Sequence, residues 1–200
     1  MQKPNNYEKV QAAGEFTPLE LGGHILVIKQ VEEMTSKTGK PMLKVSFDTA
    51  DNDKQPHYFA DKFRNDIRPD KKWPNDGTTY IVCHDADRNC SKSLKGFTTS
   101  AEKSNPGFVI PWNDTFGPSF KGKMIGGVFG IVHDAYNGKE VTKRQFRWFR
   151  SIDGINEVEI PADIETEEYR RLVFSAGTAP TDSNGFMNIP DGIDEELPFN

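Results

Sequence analysis

The chain is poor in cysteine and in long apolar stretches. Its two cysteines, Cys83 and Cys90, are too few for a disulfide scaffold. No apolar run approaches the roughly 18–20 residues of a membrane span, and the polar start, MQKPNNYEKV, is not typical of a signal peptide. These absences predict an intracellular, cytoplasmic protein with no membrane partner.

Sequence signatures of catalysis are also missing. The chain contains no Ser-His-Asp motif, Walker loop or dinucleotide fingerprint. One cluster of metal-binding residue types, CHDADRNC at 83–90, spaces its cysteines more widely than zinc sites usually do and has no second pair. The sequence therefore predicts no enzyme, no metal and no cofactor, while a nuclease built on Asp and His groups stays open as an alternative.

Positive charge is absent from the end of the chain. Residues 175–200 hold five acids and no Lys or Arg, and residues 151–174 have a net charge of −5. Residues 1–150 have a net charge of +5, which the overall charge of −5 conceals. A basic body followed by an acidic end is compatible with a nucleic-acid partner.

Aromatic residues are plentiful and offset a low hydrophobic fraction of 35%, since the chain holds 14 Phe, 5 Tyr and 3 Trp. Alternation and turn signals predict strands at 19–34, 41–50, 57–64, 78–84, 122–134 and 141–152, an extended segment at 157–161, and helices at 91–104 and 163–174. Asn137-Gly138 is a strong hairpin signal. Together these elements predict a mainly β fold, a five-stranded OB-fold-like Greek-key barrel with one or two short helices.

The predicted domain spans 17–174. It follows an N-terminal arm at 1–16 and precedes a disordered linker and acidic tip at 175–200, where small residues, Gly and Pro dominate.

The segment KRQFRWFR, residues 143–150, combines four cations with three aromatic residues. On a regular strand Phe146 and Trp148 share one side, while Lys143, Arg147 and Phe149 share the other. One interpretation places Phe146 and Trp148 in the core with the charges at its rim. The functional interpretation uses the opposite side to hold phosphates and to stack bases.

Other basic and aromatic positions lie where OB-folds bind ligands, on the second and third strands and the adjoining loops. With the residues of 143–150, they complete the predicted DNA-binding set: Lys37, Lys40, Lys44, Tyr58, Arg64, Arg68, Lys71, Lys72, Trp73, Lys143, Arg147 and Phe149. Trp73 is the strongest single candidate because an exposed Trp in a basic loop has little structural use, although it could instead cover the barrel.

Two stretches carry a family resemblance. The stretches LGGHILVIKQVEEMTSKTGKPMLKVSFDTAD and FKGKMIGGVFGIVHDAYNGKEVTKRQFRWF resemble the opening and closing hairpins of bacteriophage single-stranded-DNA-binding proteins, which have OB-like folds. The resemblance covers about 30–150, and its middle, 70–120, matches poorly. It implies no role for Trp73 or Trp112.

The last residues, DEELPFN, are similar to the acidic tips with Pro-Phe that bind replication and repair partners in bacterial and phage proteins of this kind. The resemblance implies partner binding by Asp194, Glu195, Glu196, Leu197, Pro198 and Phe199. Asn200 departs from the pattern, in which the Phe is terminal. A purely solubilising tail is the alternative, although it would not need Leu197 or Phe199.

The sequence thus predicts a non-enzymatic protein that binds single-stranded DNA with little sequence preference. It would protect exposed strands in phage replication or recombination, in the host cytoplasm, and recruit replication or recombination proteins through its tail. A homo-oligomer is left open. A nucleic-acid-processing enzyme, or a β-barrel interaction protein that does not bind DNA, are the alternatives.

Overall fold

The structure, a computed structural model, describes residues 1–5, 7, 17–85 and 87–176. Its strands are β1 (Gly22–Thr35), β2 (Pro41–Thr49), β3 (Thr78–Val82), β4 (Met124–Tyr136), β5 (Lys139–Arg150) and β6 (Ile164–Glu165). Its helices are α1 (Tyr58–Asn65), α2 (Lys92–Ser104), α3 (Phe116–Ser119) and α4 (Glu167–Ala176). The fold is therefore mainly antiparallel β sheet with six strands and few helices. None of the helices in the described ranges has the length and apolar character of a membrane span.

The first two strands form the predicted hairpin. In β2, Leu43, Val45 and Phe47 alternate with Lys44 and Ser46, and all three apolar side chains are buried. The turn between the strands is closed by the N–H of Lys40, which donates to the hydroxyl of Ser36, and by the N–H of Ser36, which donates to the carbonyl of Lys40. Alternation thus sets which face of the hairpin enters the core.

One strand organises the sheet, whose order is β3-β2-β1-β4-β5, with β6 beside β4. The first half of β1 pairs with β4 over Gly22–Val27, and its second half pairs with β2 over Leu26–Thr35. The register with β2 shifts between Ile28 and Gln30, so β1 carries an irregularity near the point where it changes partners.

The predicted strand at 57–64 is wrong, because this segment forms α1. Phe59 and Phe63 are four residues apart and share a helix face. The carboxylate of buried Asp48, at the end of β2, accepts hydrogen bonds from the N–H groups of Phe59 and Ala60 at 3.0 and 3.2 Å. These are the N–H groups that a helix start leaves unpaired, so a residue distant in sequence stabilises the helix.

The predicted helix at 91–104 is confirmed as α2. Leu94, Phe97 and Ala101 are buried along one face, and the hydroxyl of Ser91 accepts the N–H of Leu94 as an N-terminal cap. The hairpin at Asn137-Gly138 is also confirmed, since both residues have positive φ, as a type I′ turn requires.

Other boundaries differ from the predictions. Five of the six segments predicted as strands are confirmed, β6 was not predicted as a strand, and the segment at 157–161 is not a strand. The helix predicted at 163–174 begins at Glu167. Most of the predicted arm at 1–16 and nearly all of the predicted linker and tip at 175–200 lie outside the described residues.

The chain divides into two compact units. One comprises Met1–Val132 and Lys143–Ile164; the other comprises His133–Thr142 and Glu165 onward. In the second unit, the hydroxyl of Thr166 donates to Asp134, and the rings of His133 and Tyr169 lie 5.4 Å apart. The single domain predicted at 17–174 stays a prediction.

A buried, hydrogen-bonded pair of His24 and Asp53 joins the start of β1 to the loop after β2. His24 Nδ1 lies 2.8 Å from Asp53 Oδ2, and both side chains are fully buried. The second ring nitrogen of His24 donates to the carbonyl of Glu20, while Asp53 accepts the N–H groups of Ile25 and Gln55. Burial alone would raise the pKa of Asp53, but these hydrogen bonds from His24 and the backbone outweigh it and hold the pKa below its ordinary value.

The pH dependence of stability follows from Asp53. Because its folded pKa is depressed, the carboxylate stabilises the fold above the unfolded value of about 3.9, and that stability is lost as pH falls through the folded pKa. Asp53→Asn should lower the free energy of unfolding by about 3–5 kcal/mol near neutral pH. The difference from wild type should shrink below about pH 4.

Urea unfolding across this pH range measures the effect, with exposed Asp70→Asn as the matched control. A gap between wild type and Asp53→Asn that stayed constant down to about pH 2 would contradict the assignment.

Candidate nucleic-acid interface

Three adjoining cavities run along β5. The first, of about 480 Å³, lies between β5 and the start of β3. The second, of about 260 Å³, lies between β5, β3 and α2, and the third, of about 500 Å³, lies between α2 and the end of β5. The first two share Thr79 and Phe146, and the last two share Gly96, Trp148 and Phe149. They form one continuous depression, which we call the β5 groove.

The groove exists because β3 and β5 stand at the two ends of the strand order, so no pairing between them fills the space. Its floor is aromatic. Phe146 and Phe149 lie 5.3 and 6.0 Å from the buried ring of Phe47, and Phe97 of α2 lies 5.1 Å from Phe149. The floor is therefore the outer surface of the core and is held by its packing.

Positive charge lines the groove on both sides. The cations are Lys92, Lys95 and Lys103 from α2 and Lys143, Arg144, Arg147 and Arg150 from β5. Lys92, Lys95 and Lys103 are exposed and make no ion pair with another described residue. The acid along the groove is Asp76, and Lys62 pairs with it at 2.6 Å. The field in the groove is therefore positive.

Two aromatic side chains beside these cations expose their rings. Tyr80 of β3 is 56% exposed and Trp148 of β5 is 44% exposed, and both line the second cavity. Exposed rings among cations suit an anionic ligand that carries flat apolar groups.

The predicted alternation of 143–150 fails between Phe146 and Phe149. Residues three apart point to opposite faces of a regular strand, yet both rings contact Phe47 and lie 4.4 Å from each other. The strand is therefore irregular between them. As a consequence Phe149, predicted to be an exposed stacking residue, packs against the core, and Trp148, which one interpretation placed in the core, is exposed.

Two further predicted residues lie along the groove. Lys143 lines the first cavity and Arg147 lines the second. The guanidinium of Arg147 donates to the carbonyls of Ile131 and Ala162, both at 3.2 Å, so it also ties β5 to β4 and to the segment before β6.

Four other predicted residues do not line the β5 groove. Lys44 is held at 2.9 Å by Glu32, whose hydrogen bond raises the pKa of Lys44. Lys37 and Lys40 lie exposed in the β1–β2 turn, away from the groove lining. Tyr58 is half-buried and packs against the core.

The loop from Arg64 to Trp73 is stabilised internally. Arg64 pairs with Asp61 at 2.7 Å, Lys71 donates to the carbonyl of Arg64, and Lys72 is exposed. The guanidinium of Arg68 donates three hydrogen bonds to Asp66 and its backbone N–H donates a fourth, and these bonds lower the pKa of Asp66 to about 2.

Trp73, the strongest single candidate from sequence, is half-buried. Its indole N–H donates to the carbonyl of Gly77 at 3.0 Å, and its ring lies 5.9 Å from Phe63. The structure therefore gives Trp73 a covering role over α1 and the core.

Several groove residues were missed from sequence: Tyr80, Lys92, Lys95, Lys103, Trp148 and Arg150. The lysines of α2 had a readable signal, because Lys92, Lys95 and Lys103 recur at helical spacing opposite the buried face of Leu94 and Phe97. The exposure of Trp148 had no readable signal in the sequence, because it depends on the irregularity of β5.

The chain matches no protein-family model, and no curated protein matches it. The assignment of the groove therefore depends on its geometry and charge.

The metal-like cluster at 83–90 directly follows β3. His84 and Cys90 form an isolated antiparallel bridge, and Asp85 accepts the N–H groups of Asp87 and Asn89. Within the described ranges no three His, Cys, Asp or Glu side chains gather as metal ligands. The six predicted partner-binding residues, Asp194 to Phe199, lie outside the described residues.

The different surroundings of the two tryptophans predict different costs of substitution. Trp73→Ala should lower the free energy of unfolding by about 3–5 kcal/mol, because it removes buried ring area and leaves the Gly77 carbonyl unpaired. Trp148→Ala should change it by less than about 1 kcal/mol. Urea unfolding of the two variants checks this, and equal losses would contradict the burial assigned to Trp73.

Proposed function

We propose that the protein binds single-stranded DNA in the β5 groove, without catalysis and with little sequence preference. The observation that carries the proposal is the combination of the exposed lysines of α2 (Lys92, Lys95 and Lys103) with the exposed rings of Tyr80 and Trp148 above an aromatic floor. Cations hold phosphates whatever the sequence, and every base has a flat face that can stack on an aromatic ring.

The groove favours a single strand over a duplex for a steric reason. Stacking on Tyr80 or Trp148 requires a free base face, whereas the bases of a duplex are stacked on one another. The second cavity, of about 260 Å³, has room for a base beside these rings.

The strand order supports an OB-type barrel as the scaffold. The first strand is shared between β2 and β4, β1–β2–β3 form a meander, and the β4–β5 hairpin returns beside β1. The helix α2 lies between the third and fourth strands. These are features of a partly open five-stranded Greek-key barrel, a fold that often binds oligonucleotides. The resemblance of the two hairpins to phage single-stranded-DNA-binding proteins supports the same proposal.

Titration with fluorescent oligo-dT across a salt series tests the groove. Wild type should bind, and the logarithm of its affinity should fall linearly with the logarithm of salt, by about 0.7 per phosphate contact. Trp148→Ala should weaken binding about fivefold to hundredfold by removing one stacked base. Lys95→Ala with Lys103→Ala should lower the salt slope.

Exposed Lys121, which does not line the groove, supplies the matched control, and Lys121→Ala should bind like wild type. No binding at low salt, equal affinity for duplex, or equal effects of Lys121→Ala and the double lysine variant would overturn the proposal.

We further propose that the acidic end recruits replication or recombination proteins of a phage or its host. Residues 175–200 hold five acids and no cations, so they will not bind phosphates, whereas Leu197 and Phe199 can anchor in an apolar pocket of a basic partner. Because they belong to the same chain, the acids also compete with DNA for the basic body.

Deletion of residues 191–200 should therefore leave DNA affinity unchanged or raise it, while abolishing capture of a purified replication or recombination protein. Fluorescence titration and pull-down on the same preparations measure both properties. A fall in DNA affinity on truncation is the contrary result.

A further inference from the structure

A second pair of adjoining cavities lies beyond the end of β3. One, of about 450 Å³, has an apolar floor of Leu43, Leu94 and Phe116 and a wall formed by Trp112. The other, of about 480 Å³, is lined by Lys40 and Arg88 among others. The two share Pro41 and His84, so they form one depression, which we call the Trp112 pocket.

Trp112 is held as an open platform. Its side chain is 70% exposed, yet its ring lies 5.2 Å from the buried ring of Phe116 at an interplanar angle of 31°. In contrast to Trp73, its indole N–H donates to no described residue. One face of the ring is therefore supported by the core and the rest is available to a ligand.

Positive and negative side chains lie on different sides of the Trp112 pocket. Lys40 and Arg88 are exposed on the side of the second cavity, with His84 between the two cavities. Glu33 and Asp114 lie on the side of the tryptophan. Asp85 is already engaged, because its carboxylate accepts two backbone N–H groups at 2.9 Å.

This arrangement matches the parts of a nucleotide. A base can stack on Trp112 while its phosphate approaches Lys40 and Arg88. Carboxylates repel phosphates but accept hydrogen bonds from the exocyclic amino groups of cytosine, adenine and guanine, which thymine lacks. Glu33 and Asp114 therefore favour a base that carries an amino group.

The Trp112 pocket continues the path of the β5 groove. Ile81 lines the groove and Cys83, two residues further along the same segment, lines the pocket. Likewise Ser93 of α2 lines the groove and the next residue, Leu94, lines the pocket. A DNA strand that leaves the groove where the end of β3 lies beside the start of α2 therefore reaches Trp112 next.

We propose that the Trp112 pocket is a second nucleotide-binding subsite for the same DNA strand, with a preference for cytosine, adenine or guanine over thymine. This inference depends on the proposed function of the β5 groove and extends the bound length of strand beyond it.

Oligonucleotide length separates the two subsites. Trp112→Ala should weaken binding of an oligo-dC of about 16 nucleotides fivefold to hundredfold, and should leave an oligo-dC of about 5 nucleotides unaffected, because the shorter strand fills the groove alone. Trp148→Ala should weaken the binding of both oligonucleotides. Glu33→Gln with Asp114→Asn should remove the preference for oligo-dC over oligo-dT at the longer length.

Trp112→Phe retains a stackable ring and should recover most of the affinity, which guards against a loss caused by misfolding. Lys40→Ala should weaken the binding of the longer oligonucleotide only, and Lys121→Ala should leave the binding of both oligonucleotides unchanged. Trp112→Ala binding both lengths like wild type would overturn the inference and leave the groove proposal standing. Failure of wild type to bind either length would overturn the proposed function itself.

A titration with dCMP distinguishes a site for free nucleotides. Binding of dCMP that depends on Trp112, with no effect of Trp112→Ala on the longer oligonucleotide, would also overturn the assignment to the DNA strand.

Discussion

The packing around Phe47 is the contact on which the rest of the structure depends. Phe47 is fully buried, and its ring contacts Phe59 of α1, Phe129 of β4, and Phe146 and Phe149 of β5. In the strand order, β2 and β5 are separated by β1 and β4, so no backbone hydrogen bonds join them. Aromatic contacts therefore join β2 to β5 across the core, and dispersion between the close-packed rings stabilises them.

This contact also creates the groove. Because both Phe146 and Phe149 turn inward toward Phe47, the strand departs from alternation and Trp148 is left outside. The chain at the end of β5 also passes so close to β4 that a methyl group on Gly126 would lie 2.8 and 2.9 Å from the carbonyl oxygens of Ser151 and Arg150. The core and the candidate interface therefore share residues, and a change in the core will alter the shape of the groove.

Some of the cations are paired with carboxylates, whereas others are free of such pairs within the described ranges and can contact a ligand. Arg64, Arg68 and Lys44 are each paired with a carboxylate within 3 Å, and such exposed pairs contribute little to stability while lowering the charge offered to a ligand. Lys92, Lys95 and Lys103 have no such partner among the described residues. Local pairing, which a count of charges does not reveal, thus directs the positive field toward α2 and β5.

Local patterns in the sequence were sufficient for the elements whose stability is local. The alternation of Leu43, Val45 and Phe47, the helical spacing of Leu94, Phe97 and Ala101, and Asn137-Gly138 each predicted an element that the structure confirms, because period and turn chemistry act over a few residues. Segment 57–64 was mistaken for a strand because its helix is capped by Asp48, which is distant in the chain.

The candidate site was likewise predicted only in its local features. The sequence indicated a basic and aromatic β5, but only tertiary packing decided that Phe149 and Trp73 lie against the core while Trp148, Tyr80 and Trp112 face outward, since burial depends on contacts between segments far apart in sequence.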